Sequence, residues 1–137
     1  MAAATLREVA LTNRETGGAQ TLASALRRAR AMAINTHSRV RIDTTASGLA
    51  LSSCASRYGA TACAGTSTFA TLSLAGTDLA AIADFRGLQV TAPATTLIFG
   101  PTGFPETVGT YTWIVDHREL PGNKQIVVTG GGEIRVQ

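Results

Sequence analysis

The feature that most constrains this chain is a change of hydrophobic period inside Thr21–Asp43, TLASALRRARAMAINTHSRVRID. Leu22, Leu26, Ala29 and Ala33 recur at spacings of four and three, the signature of one face of a helix turning by about 100° per residue. Arg27 and Arg28 point away from that stripe, and Arg30 lies on its flank. From Arg39 onward the period becomes two. Val40 and Ile42 face one way, Arg39 and Arg41 the other, as neighbouring side chains do on a strand. A stripe this rich in alanine demands close packing by its partner, and the alternating segments downstream are the candidate. The expected architecture is therefore α+β: one N-terminal amphipathic helix over residues 1–35, packed on antiparallel sheets built from residues 38–137, in a single domain.

The rest of the chain supports that order. Thr5-Leu6-Arg7-Glu8 has the form of a capping box, in which the threonine hydroxyl and the glutamate carboxylate each serve the other's backbone amide. Leu6, Val9 and Ala10 would then begin the helical face. Gly17-Gly18 costs roughly 1 kcal/mol per glycine relative to alanine, so either a kinked continuous helix or a frayed first segment is expected. Asn35 is the expected C-terminal cap, because asparagine tolerates the left-handed conformation.

Ser38–Thr44 and Gly48–Ser53 read as a hairpin around Thr45-Ala46-Ser47-Gly48, with Leu49 and Leu51 joining Val40 and Ile42 against the helix. Thr68–Leu74 alternates and offers Phe69, Leu72 and Leu74 for burial. Thr77–Ala92 fits either a short helical turn carrying Leu79, Ile82 and Phe85 or an irregular crossing, with Val90 opening another strand. Thr95–Phe99 is strongly β-forming and stops at Gly100-Pro101-Thr102-Gly103. Thr110–Asp116 alternates Tyr111, Trp113 and Val115 against Thr112, Ile114 and Asp116. Pro121-Gly122-Asn123 marks a turn. Gln125–Thr129 and Glu133–Gln137 form a last hairpin around Gly130-Gly131-Gly132.

Charge is unevenly placed. Residues 1–41 carry seven Arg and two Glu, whereas residues 42–137 carry five basic and seven acidic groups, within an overall +3. A basic helix face suits nucleic acid, lipid headgroups or an acidic partner, or is simply solvated. Cys54 and Cys63 bracket a small-residue loop. A disulfide there would remove roughly 2.5–3 kcal/mol of loop-closure entropy and would imply an oxidising compartment. The alternative is a pair of buried free thiols. A metal site would need two further ligands, and no histidine lies nearby in sequence.

No catalytic set assembles. His37 and His117 are far apart, and Asp116 and His117 point to opposite faces of a strand. There is no G-x-S-x-G elbow, P-loop or H-E-x-x-H motif. Gly130–Gly132 leads into a strand rather than a helix, which removes the dipole that favours phosphate. No enzyme, cofactor or metal is expected. No apolar run approaches the eighteen or so residues that span a bilayer, and no signal peptide is recognised. Met1-Ala2-Ala3-Ala4 reads as an artificial start, so a leader or membrane segment is expected upstream.

LASALRRARAMAINTHSRVRI resembles the segment that follows the membrane helix in FimT/GspH-type minor pilins and type II secretion pseudopilins. Phe99-Gly100-Pro101-Thr102-Gly103 is similar to that family's F-x-P-x-G turn. Gly132-Glu133-Ile134-Arg135 sits where the family often has G-R-x-R. The resemblance covers about Leu22 to Gln137. It implies a subunit made with a type III leader and methylated after processing. A single hydrophobic helix would anchor it in the inner membrane, with the domain in the periplasm before it enters a filament. Implied partners are other pilin or pseudopilin subunits. Leu22, Leu26, Ala29 and Ala33 are the expected subunit-packing residues, laid on the subunit's own sheet, while the arginine-rich helix face and the loops are expected to meet neighbouring subunits. The favoured role is a minor pilin of a type IV pilus, in assembly or initiation and in DNA uptake; the alternative is a pseudopilin that caps the secretion filament. Arg118, Lys124 and Arg135 are the candidate contacts to DNA or a partner. Glu133 replaces the first arginine of G-R-x-R, and a carboxylate there opposes phosphate binding.

Overall fold

A computed structural model describes residues 2–45, 48–54, 72–78, 87–117 and 122–137. Helix α1 (Ala2–Thr36) is followed by strands β1 (Arg39–Thr45), β2 (Gly48–Cys54), β3 (Leu72–Asp78), β4 (Leu88–Thr91), β5 (Leu97–Phe99), β6 (Tyr111–His117), β7 (Asn123–Val128) and β8 (Ile134–Val136). The strands make two four-stranded sheets, in the orders β3-β2-β1-β5 and β4-β6-β7-β8. Every pair is antiparallel. The fold is the expected α+β arrangement.

The helix runs without a break through Gly17-Gly18. Leu11, Glu15, Gly18 and Ala19 are all buried, and tertiary packing of this kind outweighs the helix propensity of two glycines. Thr16 and Thr21 donate their hydroxyls to the carbonyls of Thr12 and Gly17, which satisfies both groups inside the helix.

The helix spans nearly the expected residues, but both caps differ from expectation. The helix begins at Ala2, so Thr5 lies inside the first turns and is not the N-cap; the alanines before it are the strongest of helix formers. Leu6 and Val9 are 69% and 50% exposed, and Ala10 is exposed too. Among the described side chains the packed face starts with Leu11, not Leu6. At the other end the helix continues to Thr36, and His37 rather than Asn35 adopts the left-handed conformation, at φ 49°. The amides of Ser38 and His37 then reach the carbonyls of Ala33 and Ile34 at 3.1 and 3.4 Å, the paired bonds of a Schellman cap.

Pairing of Thr45 with Gly48 closes the first hairpin. Val40, Ile42, Leu49 and Leu51 are buried together with Leu22, Leu26, Ala29 and Ala33 in one hydrophobic cluster. In β6 the expected alternation holds: Tyr111, Trp113 and Val115 are buried, and so is His117. Trp113 is among the largest fully buried side chains, and its indole N–H donates to the Thr44 hydroxyl at 2.9 Å, joining the two sheets. The β3 strand extends to Asp78, past the expected end at Leu74, and β4 opens at Leu88. The expected burial of Phe69, Leu72 and Leu74, the choices for residues 79–86, and the Cys54–Cys63 pairing lie outside the described residues and side chains.

Candidate functional site

The basic face of α1 meets two turns. The first is Gly100–Gly103, where the Gly103 amide donates to the Gly100 carbonyl at 2.9 Å and Gly103 has φ +85°. The Gly100 amide donates to the Phe104 carbonyl at 2.8 Å, and the amide of Glu106 donates to the carbonyl of Ile98 at 2.9 Å. The second turn joins β7 to β8. Thr129 donates its amide to the Glu133 carbonyl, and Gly132, at φ +81°, donates to the Thr129 carbonyl. This is the three-residue hairpin loop whose last position is left-handed and suits glycine.

Arg30 ties the first turn to the helix and lies against the second. Its Nε donates to the Gly103 carbonyl at 2.9 Å. The turns approach so closely that a Cβ on Gly132 would lie 2.7 Å from the Gly103 oxygen and 2.9 Å from Arg30 Nε. A Cβ on Gly103 would lie 2.6 Å from Ile34 Cδ1. One turn earlier on the helix, Arg27 donates through Nη2 to the Ile134 carbonyl at 3.3 Å. Between helix and hairpin runs an open cleft of about 300 Å³, lined by Arg27, Arg30, Ala31, Ile34, Gly132, Glu133 and Ile134.

At the opposite end of β6, the Glu15 carboxylate, 3% exposed, accepts the backbone amide of His117 at 3.0 Å. A carboxylate in this position is tolerated because it replaces lost hydration with a hydrogen bond. Among the described residues no group of His, Cys, Asp and Glu could hold a metal ion.

The sequence-derived contacts are not gathered into one site. Leu22, Leu26, Ala29 and Ala33 are 0% exposed within the chain's own core, so their packing is intrachain and they are not available to another subunit. Arg118 lies outside the described residues. Arg135 sits across from Val127, whereas Lys124 has the parity of buried Ile126 and Val128. Neighbours on a strand alternate faces, so Lys124 and Arg135 lie on opposite faces of the sheet. Arg135 also has Glu133 beside it, at 3.5 Å. Arg27 and Arg30 stand out instead. Their charge was readable in the sequence, but the carbonyls that hold them lie 107 and 73 residues away.

The sequence model of the family described as type II transport protein GspH matches residues 18–132. The chain belongs to the GspH family. Its members are minor pilin and pseudopilin structural subunits. The fold of this GspH-family chain is similar to that of the type IV minor pilin FimU of Pseudomonas aeruginosa strain PAO1, seen in two crystal forms. In space group P21 the TM-score is 0.66 at 17% identity, over 92% of this chain and 90% of that one. In space group P65 it is 0.63 at 17% identity, over 89% and 91%. No curated protein matches the sequence. Among the described residues of the GspH-family chain, no helix is long and apolar enough to cross a membrane.

Proposed function

We propose that this chain is a non-catalytic minor pilin subunit of a type IV pilus, acting in pilus assembly or initiation. The observation that carries the reading is the N-terminal end of α1. There the helix presents Leu6 and Val9 to solvent, ahead of Leu11, the first buried position among the described side chains. Apolar side chains on a helix end that the domain itself leaves uncovered suit side-by-side packing with the helices of other subunits. In this reading an upstream hydrophobic helix anchors the subunit in the inner membrane, and the β-sheets lie in the periplasm until the filament incorporates them. The single-domain organisation over residues 1–137 belongs to the same proposal. So does a Cys54–Cys63 disulfide, which the periplasm would permit.

The second reading is a minor pseudopilin of a type II secretion system, favoured by the description of the matched family. A role in DNA uptake has less support, because Glu133 stands beside Arg135 where phosphate would have to approach. The deciding experiment deletes the full-length gene and scores twitching beside secretion of folded hydrolases. Loss of twitching with normal secretion is the expected result. Loss of secretion with normal twitching replaces the pilus with the secretion filament. If both are normal, the filament reading is wrong.

A further inference from the structure

Arg27 and Arg30 form a pair of guanidinium groups held in place by backbone oxygens, those of Ile134 and Gly103. Among the described residues neither has a carboxylate partner. Most of the donors on each fork remain unspent, because a guanidinium carries more N–H groups than the one bond each makes here. Between them the cleft has apolar walls of Ala31, Ile34 and Ile134, and Ile34 is 38% exposed.

Along one side of the cleft runs β8, the edge strand of its sheet. Its pairing with β7 is fixed by the bonds between Gln125 and Gln137 and between Thr129 and Glu133. Antiparallel pairs alternate between bonded and non-bonded positions. The amides and carbonyls of Ile134 and Val136 therefore point away from β7. Among the described residues only the Ile134 carbonyl is engaged there, by Arg27, and a carbonyl oxygen has a second lone pair.

A ligand for this surface needs a carboxylate for the guanidinium forks, a small apolar side chain for the cleft and a row of backbone donors and acceptors for β8. The geometry points to an extended, acidic polypeptide segment of another filament subunit, laid along β8 with a carboxylate at Arg27 and Arg30. This inference rests on the chain being a filament subunit. Nucleic acid fits less well: among the described residues no aromatic side chain lines the cleft, and the backbone edge of β8 offers a duplex nothing it needs.

The test uses the 137-residue chain and a fluorescein-labelled peptide alternating Val with Glu and Asp. Its Gln/Asn counterpart and a short DNA duplex are run in parallel by anisotropy. The acidic peptide should bind, the neutral one about tenfold more weakly, and Arg27→Ala should weaken the acidic peptide by about the same factor. Ala31→Asp, which puts a carboxylate in the cleft, should abolish binding, and thermal melts should show both variants folded. Amide shifts on peptide addition should include Ile134 and Val136. Equal binding of the two peptides, no binding at all, or an unchanged affinity in both variants overturns the site. So does Arg27-dependent binding of the duplex but not the peptide. If the peptide fails while the deletion strain has lost twitching, only the docking site falls; if twitching and secretion are both intact, the filament reading falls whatever the peptide does.

Discussion

Replacing Gly132 with alanine tests how rigidly the two turns are held against α1. Gly132 has φ +81°, where an L-residue costs about 1–2 kcal/mol. Its new Cβ would also sit 2.7 Å from the Gly103 carbonyl oxygen and 2.9 Å from Arg30 Nε. The first of these is backbone within a hydrogen-bonded turn and cannot swing aside as a side-chain end does. The turns must separate, and separation stretches the bond from Arg30 to that same oxygen. Losing a hydrogen bond to a charged group costs about 1.5–3 kcal/mol. Together the two costs come to about 2.5–5 kcal/mol. For a domain of this size that is a fall in Tm of about 8–20 °C. Gly131→Ala is the control, because a Cβ there meets only Thr129 Oγ1, at 3.9 Å, with no left-handed backbone. It should change stability by no more than about 0.5 kcal/mol. Calorimetric melts of both variants beside the parent chain provide the comparison. A Gly132→Ala protein melting within about 2 °C of Gly131→Ala would refute the reasoning, since the turns would then be free to part.

Glu15→Ala should cost about 1–3 kcal/mol in urea unfolding, because it strands the buried His117 amide; Glu15→Gln keeps an acceptor and should cost clearly less, and equal losses would remove the hydrogen bond as the cause. Trp113→Phe deletes the indole donor to Thr44 along with buried volume and should cost about 1–3 kcal/mol by denaturant titration; an unchanged midpoint would mean that this link contributes nothing. Arg39 donates to both carboxylate oxygens of Glu106 on the surface. Arg39→Ala should cost no more than about 1 kcal/mol, shrinking further at high salt; a larger, salt-independent loss would show that the pair is not solvent-screened.

What could be read directly was whatever repeats at short range. The stripe Leu22, Leu26, Ala29 and Ala33 is buried, and the alternation in β6 is buried on the expected side, because a helix and a strand each have a fixed period that a folded core must respect. The turn at Gly100–Gly103 was readable for the same reason: its residue types restrict φ locally. Both helix caps were misassigned because caps are small effects, which the alanines at one end and His37 at the other overrode. Gly17-Gly18 was overruled by packing that no local window contains.

By itself, then, the sequence determined the class of the fold, its helix and most of its strands, and the presence of excess positive charge near the helix. Tertiary structure alone decided where that charge acts. Strand register put Lys124 and Arg135 on opposite faces. The meeting of α1 with turns 73 and 107 residues away fixed Arg30 and Arg27 at the mouth of a cleft. The physical reason is that periodicity is a property of one segment. An arginine's partner is set by which segments meet, and that is settled only when the two sheets close over the helix.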